Sequence, residues 1–376
     1  MTAGGGWPAW LAILGVVGAC RGAGSAVPHR DLDGPARLVV TERWRGGGRL
    51  IIVDETGDRL APLLRPGSTA SGDHATDEHP GFSPDGRWIV FASTRDRGDG
   101  RTSLWLAAAR ADATPVRLTT GTAADVDPTW APDGDAIVFA SDRAGDGAID
   151  LHRLSLTPGP DQPRAAAPPE RVTHGAGHEL APSLAGRRLV LQVVEPDGGR
   201  SWIAELQADG ELIALTDGPS DGGPALAPDG ATLAYSTARL RADGGRDLDV
   251  VVIDGDGREL PGLALVGSDE GAPAWSADGR WLFATSIVRD ADGAPRLPSV
   301  VHVDTWARPA RIRMLRDVAG AAPRLGPALA PGDLDQTALG RNPDHAIALA
   351  QALAELDEAA AAAAARDRRG RLHPAP

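Results

Sequence analysis

Pro128-Thr-Trp-Ala-Pro-Asp-Gly134, followed by Ser141-Asp142-Arg143, is the central phrase of an internal repeat. Copies of this phrase return at intervals of about fifty residues and are altered to different degrees. The copies begin at Pro80, Pro128, Pro182, Pro224 and Pro273. Because repeats of this period are typical of solenoids and propellers, the spacing limits the fold to these architectures.

Each repeat is expected to form four short strands. An apolar residue lies two positions after the proline, and the Asp-Gly pair that follows in most copies suits a tight hairpin turn. Runs such as Trp88-Ile-Val-Phe-Ala and Ser103-Leu-Trp-Leu-Ala then lie between Gly, Pro and Asp residues, which is the pattern of strands. Several repeats close with a short segment such as Val116-Arg-Leu-Thr119. Four strands per repeat describe one blade of a β-propeller.

The predicted fold is all-β, a six-bladed propeller of four-stranded blades over residues 33–329. The sixth blade is expected to be split, with residues 320–329 supplying its inner strand, because such closure removes free sheet edges. The alternative is an intact first blade that uses residues 28–32, where Arg30 holds the apolar position. The expected blades are 33–64 closed by 320–329, 77–119, 125–173, 179–216, 221–260 and 270–315.

Composition narrows the possible partners. The formal net charge of −13 argues against nucleic acid, since phosphate binding needs a basic surface, and against electrostatic attachment to anionic lipid. The 47 glycines and 31 prolines fit a fold rich in turns. Several of the ten tryptophans hold equivalent repeat positions, where packing between blades is a better explanation than a binding surface.

The N-terminal residues 1–20 resemble an export signal. Residues 7–19 form an apolar run that is too short to span a bilayer but suits a signal peptide. The run ends in Val17-Gly18-Ala19-Cys20, which resembles the lipobox of bacterial lipoproteins and makes Cys20 the expected lipid anchor. The expected location is therefore the periplasm, at the outer membrane. The alternative is an ordinary export signal in which Cys20 has no role, since no basic residue precedes Arg21.

The segments that flank the propeller are expected to contain two linkers, one helix and a C-terminal tail. Residues 21–32 and 330–341 are predicted linkers. An Ala-rich helix is predicted over 342–369, with Asn342 as N-cap and Pro343 in the first turn, and residues 370–376 form a tail. The helix is expected to be a frayed appendage; the alternative is that its leucines dock on the propeller or on a partner.

The repeat phrase resembles that of the TolB-like propeller family, a branch of the WD-like repeats. The resemblance covers roughly residues 33–329 and implies a periplasmic scaffold that binds envelope proteins, including a peptidoglycan-associated lipoprotein, at one mouth of the propeller. This chain departs from that family in the expected lipid anchor and in having no separate α/β domain between Cys20 and the first blade. The same repeat also occurs in propellers that gate prolyl-oligopeptidase-type peptidases.

An acidic residue lies three positions before each repeat proline, and these residues are the candidate partner-binding positions at the tunnel mouth. They are Asp77, Asp125, Glu179, Asp221 and Glu270. Equivalent positions should form a ring near the central tunnel. One interpretation pairs them with the repeat arginines Arg43, Arg95, Arg143 and Arg239. The other is a site for a divalent cation or for an amine of the partner.

Three histidines lie in the loops that carry these acids: His74, His79 and His178. Imidazoles beside carboxylates can bind transition metals, but their spacing matches no closed metal motif, so surface histidines are the favoured interpretation. The sequence has no Gly-x-Ser-x-Gly, no Walker phosphate loop and no His-Glu-x-x-His. The prediction is a non-catalytic monomeric scaffold without a cofactor. The alternatives are a metal-dependent lyase or hydrolase and an accessory propeller for a separate peptidase.

Overall fold

The computed structural model describes residues 18–19, 38–44, 47–53, 60–64, 75–159, 162–175, 177–240, 246–263, 268–289, 295–305 and 311–315. These residues form strands, turns and bends but no helix. The strands assemble into six antiparallel sheets. The predicted signal peptide, apart from Gly18 and Ala19, and the predicted Ala-rich helix lie outside the described residues.

Five sheets carry the repeat phrase and are numbered here as blades 1 to 5. Blade 1 contains β5 Asp77–Phe82, β6 Trp88–Ser93, β7 Ser103–Ala108 and β8 Val116–Arg117. Blade 2 contains β9 Asp125–Trp130, β10 Ala136–Ser141, β11 Asp150–Thr157, β12 Arg164–Ala165 and β13 Glu170–Arg171. Blade 3 contains β14 His178–Ala185, β15 Arg188–Val194, β16 Ser201–Leu206 and β17 Leu212–Ala214.

The remaining two blades have the same order. Blade 4 contains β18 Gly222–Leu226, β19 Leu233–Leu240, β20 Arg246–Ile253 and β21 Glu259–Leu263. Blade 5 contains β22 Ser268–Trp275, β23 Trp281–Arg289, β24 Pro295–Asp304 and β25 Arg311–Leu315. In every blade the strands are paired in sequence order, apart from the two short outer strands of blade 2, which both pair with β11.

The N-terminal sheet is incomplete by comparison. It contains β1 Gly18–Ala19, β2 Leu38–Trp44, β3 Gly47–Val53 and β4 Leu60–Pro62. Its first strand is only two residues long, because the repeat phrase that forms the first strand of the other sheets is missing here. The prediction of six complete blades is therefore wrong: five blades are complete, and the N-terminal sheet is a partial one.

The predicted closure of the N-terminal sheet by residues 320–329 falls outside the described residues. Within those residues the edge of β2 is paired with β1, where Gly18 lies opposite Val39 and Ala19 opposite Leu38. Closure by the C-terminal segment therefore stays a prediction.

Apolar clusters between neighbouring sheets hold the ring together. Val90 of blade 1 packs in one cluster with Trp130 and Phe139 of blade 2. At the closing point, Leu38 of the N-terminal sheet shares a cluster with Val300 of blade 5. The first strands of neighbouring sheets contact each other, so they are the innermost strands of the ring. Burial of these faces against one another is the main favourable contribution to the fold.

The repeat tryptophans pack between blades, as the sequence indicates. The Trp130 indole donates a hydrogen bond from Nε1 to the Gly81 carbonyl of blade 1 at 3.1 Å. Trp275 of blade 5 donates the equivalent bond to the Ala225 carbonyl of blade 4, also at 3.1 Å. Each indole thus satisfies its one polar group on the preceding blade, with the Trp130 side chain buried and the Trp275 side chain half-buried.

Candidate functional site

In blades 1 and 2 the carboxylate of the acidic residue accepts hydrogen bonds from a serine of the neighbouring strand and from the arginine two residues after it. Asp77 lies directly opposite Ser93 in the β5–β6 pair. The Ser93 hydroxyl donates to Asp77 Oδ1 at 2.6 Å, and Arg95 Nη2 donates to the same oxygen at 2.6 Å. The Arg95 guanidinium also lies 5.5 Å from the centre of the Trp105 ring, a cation–π distance. The charge of this buried carboxylate is therefore compensated within its own blade.

Blade 2 repeats this arrangement. The Ser141 hydroxyl donates to Asp125 Oδ1 at 2.6 Å, and Arg143 Nη2 donates to the same oxygen at 2.5 Å. The Arg143 guanidinium lies 5.2 Å from the centre of the Phe139 ring. The predicted pairing with a repeat arginine is therefore seen for Asp125 as well as for Asp77. The side chain of Arg43 lies outside the described part of the chain.

Blade 3 lacks both partners. Its inner strand is paired with β15 so that Glu179 lies opposite Val193, where blades 1 and 2 have serine. Two residues later, Glu195 holds the place of the arginine. Neither carboxylate oxygen of Glu179 has a hydrogen-bond partner among the described residues. Glu179 is therefore a buried acid without the compensation that its counterparts receive.

Blade 4 keeps the arginine but uses it elsewhere. Arg239 Nη2 donates to Glu259 at 2.9 Å, and its Nε lies 3.8 Å from Asp249. Asp221 accepts a hydrogen bond from the Gly218 amide at 3.1 Å through Oδ2, whereas its Oδ1 has no partner in the described residues. The predicted pairing of the acid with Arg239 is not observed, because acids on the outer strands bind that guanidinium.

Blade 5 compensates its acid with hydroxyls. Ser268 donates to Glu270 Oε1 at 2.6 Å, and Ser286 donates to the same oxygen at 2.9 Å. Val288 follows at the position that arginine holds in blades 1 and 2. The five blades therefore place the same acid in different electrostatic surroundings.

All five acids are buried rather than displayed at a tunnel mouth. Their exposed fractions are 5% for Asp77, 1% for Asp125, 0% for Glu179, 2% for Asp221 and 0% for Glu270. A partner can reach these carboxylates only if the loops that cover them move. The exposed groups at this end of the propeller are instead the loop residues around them.

A second ring lies one residue before each repeat proline. These residues have positive φ values: 52° at His79, 50° at Asp127, 45° at Ala181, 56° at Gly223 and 51° at Ala272. The strand pairing shifts at the same place in each blade, which marks a bulge in the inner strand. The left-handed conformation costs an L-residue about 1–2 kcal/mol, so the fold must stabilise it by other contacts.

The bulges connect neighbouring blades through hydrogen bonds. His79 Nδ1 lies 2.9 Å from Asp127 Oδ1, which joins blade 1 to blade 2. The Ala181 amide donates to Asp127 Oδ2 at 3.1 Å, which joins blade 2 to blade 3. The Gly223 amide donates to the Gln192 side-chain oxygen at 3.3 Å, which joins blade 3 to blade 4. Burial raises the pKa of Asp127, but the charge and hydrogen bond of His79 outweigh this and hold it below the ordinary value.

The histidines do not form a metal cluster in the described residues. His79 is committed to Asp127, and His178 lies at the start of β14 with its Nδ1 buried and without a hydrogen-bond partner there. His74 lies outside the described residues. Within those residues no three His, Cys, Asp or Glu side chains come together in a way that could hold a metal ion.

Loops at this end of the propeller are tied across blades. Arg97 of blade 1 donates to the carbonyls of Gly121, Thr122 and Ala123, at 2.9, 3.1 and 3.0 Å. Arg101 Nη1 donates to an oxygen of Asp142 at 2.6 Å. Asp142 of blade 2 also accepts a hydrogen bond from the Ala124 amide at 2.8 Å, so the loop that leads into β9 is fixed from both neighbouring blades.

Two residues of this site were not singled out from the sequence. Asp127 could have been found, because it holds the position of His79 in the next repeat. Asp150 lies opposite Ser141, where Ser103 lies opposite Ser93 in blade 1, so it adds a carboxylate that an alignment of the third strands would show. The predicted anchor Cys20 lies outside the described residues, and none of the described residues forms a helix that is long and apolar enough to cross a bilayer.

Comparison with known proteins agrees with this architecture. The curated relative Tol-Pal system protein TolB of Thioalkalivibrio sulfidiphilus is 34% identical over 88 residues, which are 23% of this chain and 19% of that protein. The chain thus matches only about a fifth of the length of this relative.

Two solved structures share the fold at low sequence identity. A putative TolB from Agrobacterium tumefaciens is 18% identical, with a TM-score of 0.53 over 70% of this chain and 87% of that one. TolB from Acinetobacter baumannii is also 18% identical, with a TM-score of 0.52 over 74% of this chain and 63% of that one. The sequence profile of the TolB beta propeller domain matches residues 67–279. Since this match covers more than half of the chain, the protein belongs to the TolB β-propeller family.

Proposed function

We propose that this protein is a non-catalytic scaffold of the bacterial cell envelope that binds protein or peptide partners at one end of its propeller. This is the end where the inner strands begin and the five buried acids lie, called here the acidic end: Asp77, Asp125, Glu179, Asp221 and Glu270. The match to the TolB propeller family over residues 67–279 carries this proposal. The related protein from Thioalkalivibrio sulfidiphilus is named for the Tol-Pal system. A partner of the peptidoglycan-associated lipoprotein type is therefore the first to test.

The charge of the molecule supports a basic partner surface. The formal net charge is −13, and exposed carboxylates lie on several loops at the end of the propeller where the inner strands begin. Examples are Asp99, Asp146, Asp197 and Asp217. Complementary charge speeds encounter and selects partners more than it adds affinity. Binding should therefore weaken as the salt concentration rises.

We further propose that the chain is exported through residues 1–20, anchored to the outer membrane through Cys20 and monomeric in its periplasmic part. The composition and order of residues 7–20 support the export signal and the lipid anchor. In this arrangement the lipid holds the propeller at the membrane, and the rigid ring of blades presents its loops to partners.

Carbodiimide cross-linking in solubilised envelopes tests the proposal. All 38 basic residues other than histidine are arginines, so the sequence contains no lysine. Cross-links formed by the carbodiimide must therefore join a carboxylate of this chain to an amine of another molecule or to its own N-terminus. Mass spectrometry then identifies both the partner and the linked carboxylates.

The linked positions distinguish the two ends of the propeller. We expect them at Asp99, Asp146, Asp197 and Asp217, at the acidic end. The exposed turn residues of the opposite end serve as the internal control: Asp85, Asp133, Asp229 and Asp278. Cross-links spread equally over both ends, or the recovery of no envelope protein, would contradict the proposal.

A further inference from the structure

We propose that the junction of blades 2 and 3 is a binding site for one guanidinium group, received between Asp150 and Glu179 from a basic side chain of the partner. This inference rests on the proposed function only for the origin of the guanidinium. The site itself follows from the differences between the blades.

The first observation is an acid that has lost its internal counter-charge. Asp77 and Asp125 each receive a serine hydroxyl and an arginine guanidinium from their own blade. At the equivalent positions of blade 3 stand Val193 and Glu195. Glu179 is fully buried, and both of its oxygens are without a hydrogen-bond partner in the described residues. A buried carboxylate in this state is costly, and a cationic partner removes the cost.

The second observation is an additional carboxylate beside it. In blade 1, Arg117 Nη2 donates to the Ser103 hydroxyl at 2.8 Å. In blade 2 the equivalent Arg171 donates to Asp150 Oδ1 at 2.8 Å, so an acid has replaced the serine. Asp150 is also fully buried, and its Oδ2 has no partner among the described residues.

The local charges therefore do not balance. Arg171 is shared between Asp150 and Asp146, which it contacts at 2.8 and 3.0 Å, and Glu179 adds a third carboxylate. Burial raises the pKa of Glu179, and the charge of Asp150 raises it further. The polar groups of Thr173 and Gly175, which lie near the carboxylate without hydrogen-bond geometry, and the charge of Arg171 oppose this only in part. One further positive charge is needed to compensate the two buried acids.

The geometry favours an organic cation over a metal ion. A guanidinium donates paired hydrogen bonds to carboxylates, which suits three oxygens left over on two acids. A metal ion needs more ligands, and no group of three suitable side chains exists in the described residues. Gly175 covers Glu179 with backbone alone, since an added Cβ there would overlap Oε1. Access therefore requires Gly175 to move away from the carboxylate.

Titration of the purified full-length protein with N-acetyl-arginine amide, followed by nuclear magnetic resonance, tests the site without a partner. We expect saturable binding of one molecule, with a dissociation constant on the order of millimolar for so small a ligand. The matched control is N-acetyl-citrulline amide, which keeps the shape but has no charge, and it should not bind. N-acetyl-lysine amide shows whether an ammonium group is accepted.

Three variants locate the site. Glu179→Gln and Asp150→Ser should each weaken binding about tenfold to a hundredfold, since each removes a charged acceptor. The double variant Val193→Ser with Glu195→Arg rebuilds the partners of blades 1 and 2, so it should abolish binding and raise the melting temperature. Asp209→Asn changes an exposed acid at the opposite end of the same blade and should leave binding unchanged.

The outcomes separate the two proposals. Absence of saturable binding, equal binding of citrulline, or retention of binding in Glu179→Gln and in the double variant would overturn the site. Saturable binding of Ca²⁺ or Mg²⁺ that arginine amide cannot displace would also overturn it. If the site fails but envelope partners still cross-link, the proposed function stands. If arginine amide binds but no envelope partner is found, the site stands and the function fails.

Discussion

At the scale of single residues, one acidic position has the same surroundings in blades 1 and 2 and different ones in blades 3, 4 and 5. In blades 1 and 2 the arginine two residues after the serine reaches the acid and donates a hydrogen bond to it. The pairing of Asp77 with Arg95 could be predicted because both belong to the repeat phrase. The partners of Arg239 could not be predicted, because Glu259 and Asp249 belong to outer strands that are not part of that phrase.

The first prediction compares a buried and an exposed ion pair in blade 1. Arg95→Met should reduce the free energy of unfolding by about 3–5 kcal/mol, because it leaves Asp77 buried without its partner. Arg87→Met should change it by less than about 1 kcal/mol, since the Arg87 side chain is 76% exposed where it meets Asp85. Urea unfolding measures both. Equal losses would show that Asp77 is not a buried acid that depends on Arg95.

The second prediction concerns the pH dependence of blade 3. Burial raises the pKa of Glu179, so the folded protein keeps this proton to higher pH than the unfolded chain. The stability contributed by the proton is complete below the ordinary pKa of glutamate and is lost as the pH rises through the raised value. Glu179→Gln should therefore match the wild type near pH 4 and exceed it by about 1–3 kcal/mol at pH 8.

Thermal unfolding of both proteins across this pH range checks the second prediction. The groups that face Glu179 include Asp150 and Arg171, and both stay in place in the variant. A constant difference between the two proteins at all pH values would mean that the carboxylate does not titrate differently in the folded state.

At the scale of strands, the hairpins were predictable and the bulges were not. Trp88-Ile-Val-Phe-Ala indicates a strand, and β6 spans Trp88–Ser93. The bulge before each repeat proline has no such signal, since residues that precede proline ordinarily avoid the α-region and adopt extended conformations. A bulge bends the strand that carries it, and contacts such as the one between His79 and Asp127 hold it here.

The third prediction tests the bulge in blade 4. Gly223→Ala should lower the free energy of unfolding by about 1 kcal/mol, at the low end of the cost of a left-handed L-residue, because Ala181 and Ala272 adopt the same positive φ in other blades. Gly223→Val should cost about 1–3 kcal/mol, since a β-branched residue is a strong outlier there. Chemical denaturation compares the two variants. Equal stability of both would show that this backbone conformation is not maintained in solution.

At the scale of the whole molecule, apolar clusters close the sheets into a ring. The repeat period, together with four strands per repeat, was enough to predict a propeller. The number of complete blades was not predictable, because the N-terminal sheet has strands of ordinary length at β2 and β3 but lacks the phrase that forms an inner strand. Within the described residues that position is held by the two residues of β1, Gly18 and Ala19.

The fourth prediction concerns the attachment of the whole protein to the membrane. Cys20→Ser should move the protein from the membrane fraction to the soluble periplasmic fraction, because the lipid has no thiol to join. Cell fractionation and labelling with radioactive palmitate measure this. Wild-type protein that takes up no palmitate label, or a variant that is still labelled, would show that Cys20 is not the anchor.

Partner affinity after charge reversal at the two ends tests the central claim most directly. Asp217→Arg lies at the acidic end and Asp133→Arg at the opposite end, and both side chains are exposed. With the partner identified by cross-linking, surface plasmon resonance should show slower association and weaker binding for Asp217→Arg and no change for Asp133→Arg. Equal effects of the two substitutions, or a loss confined to Asp133→Arg, would contradict binding at the acidic end of the propeller.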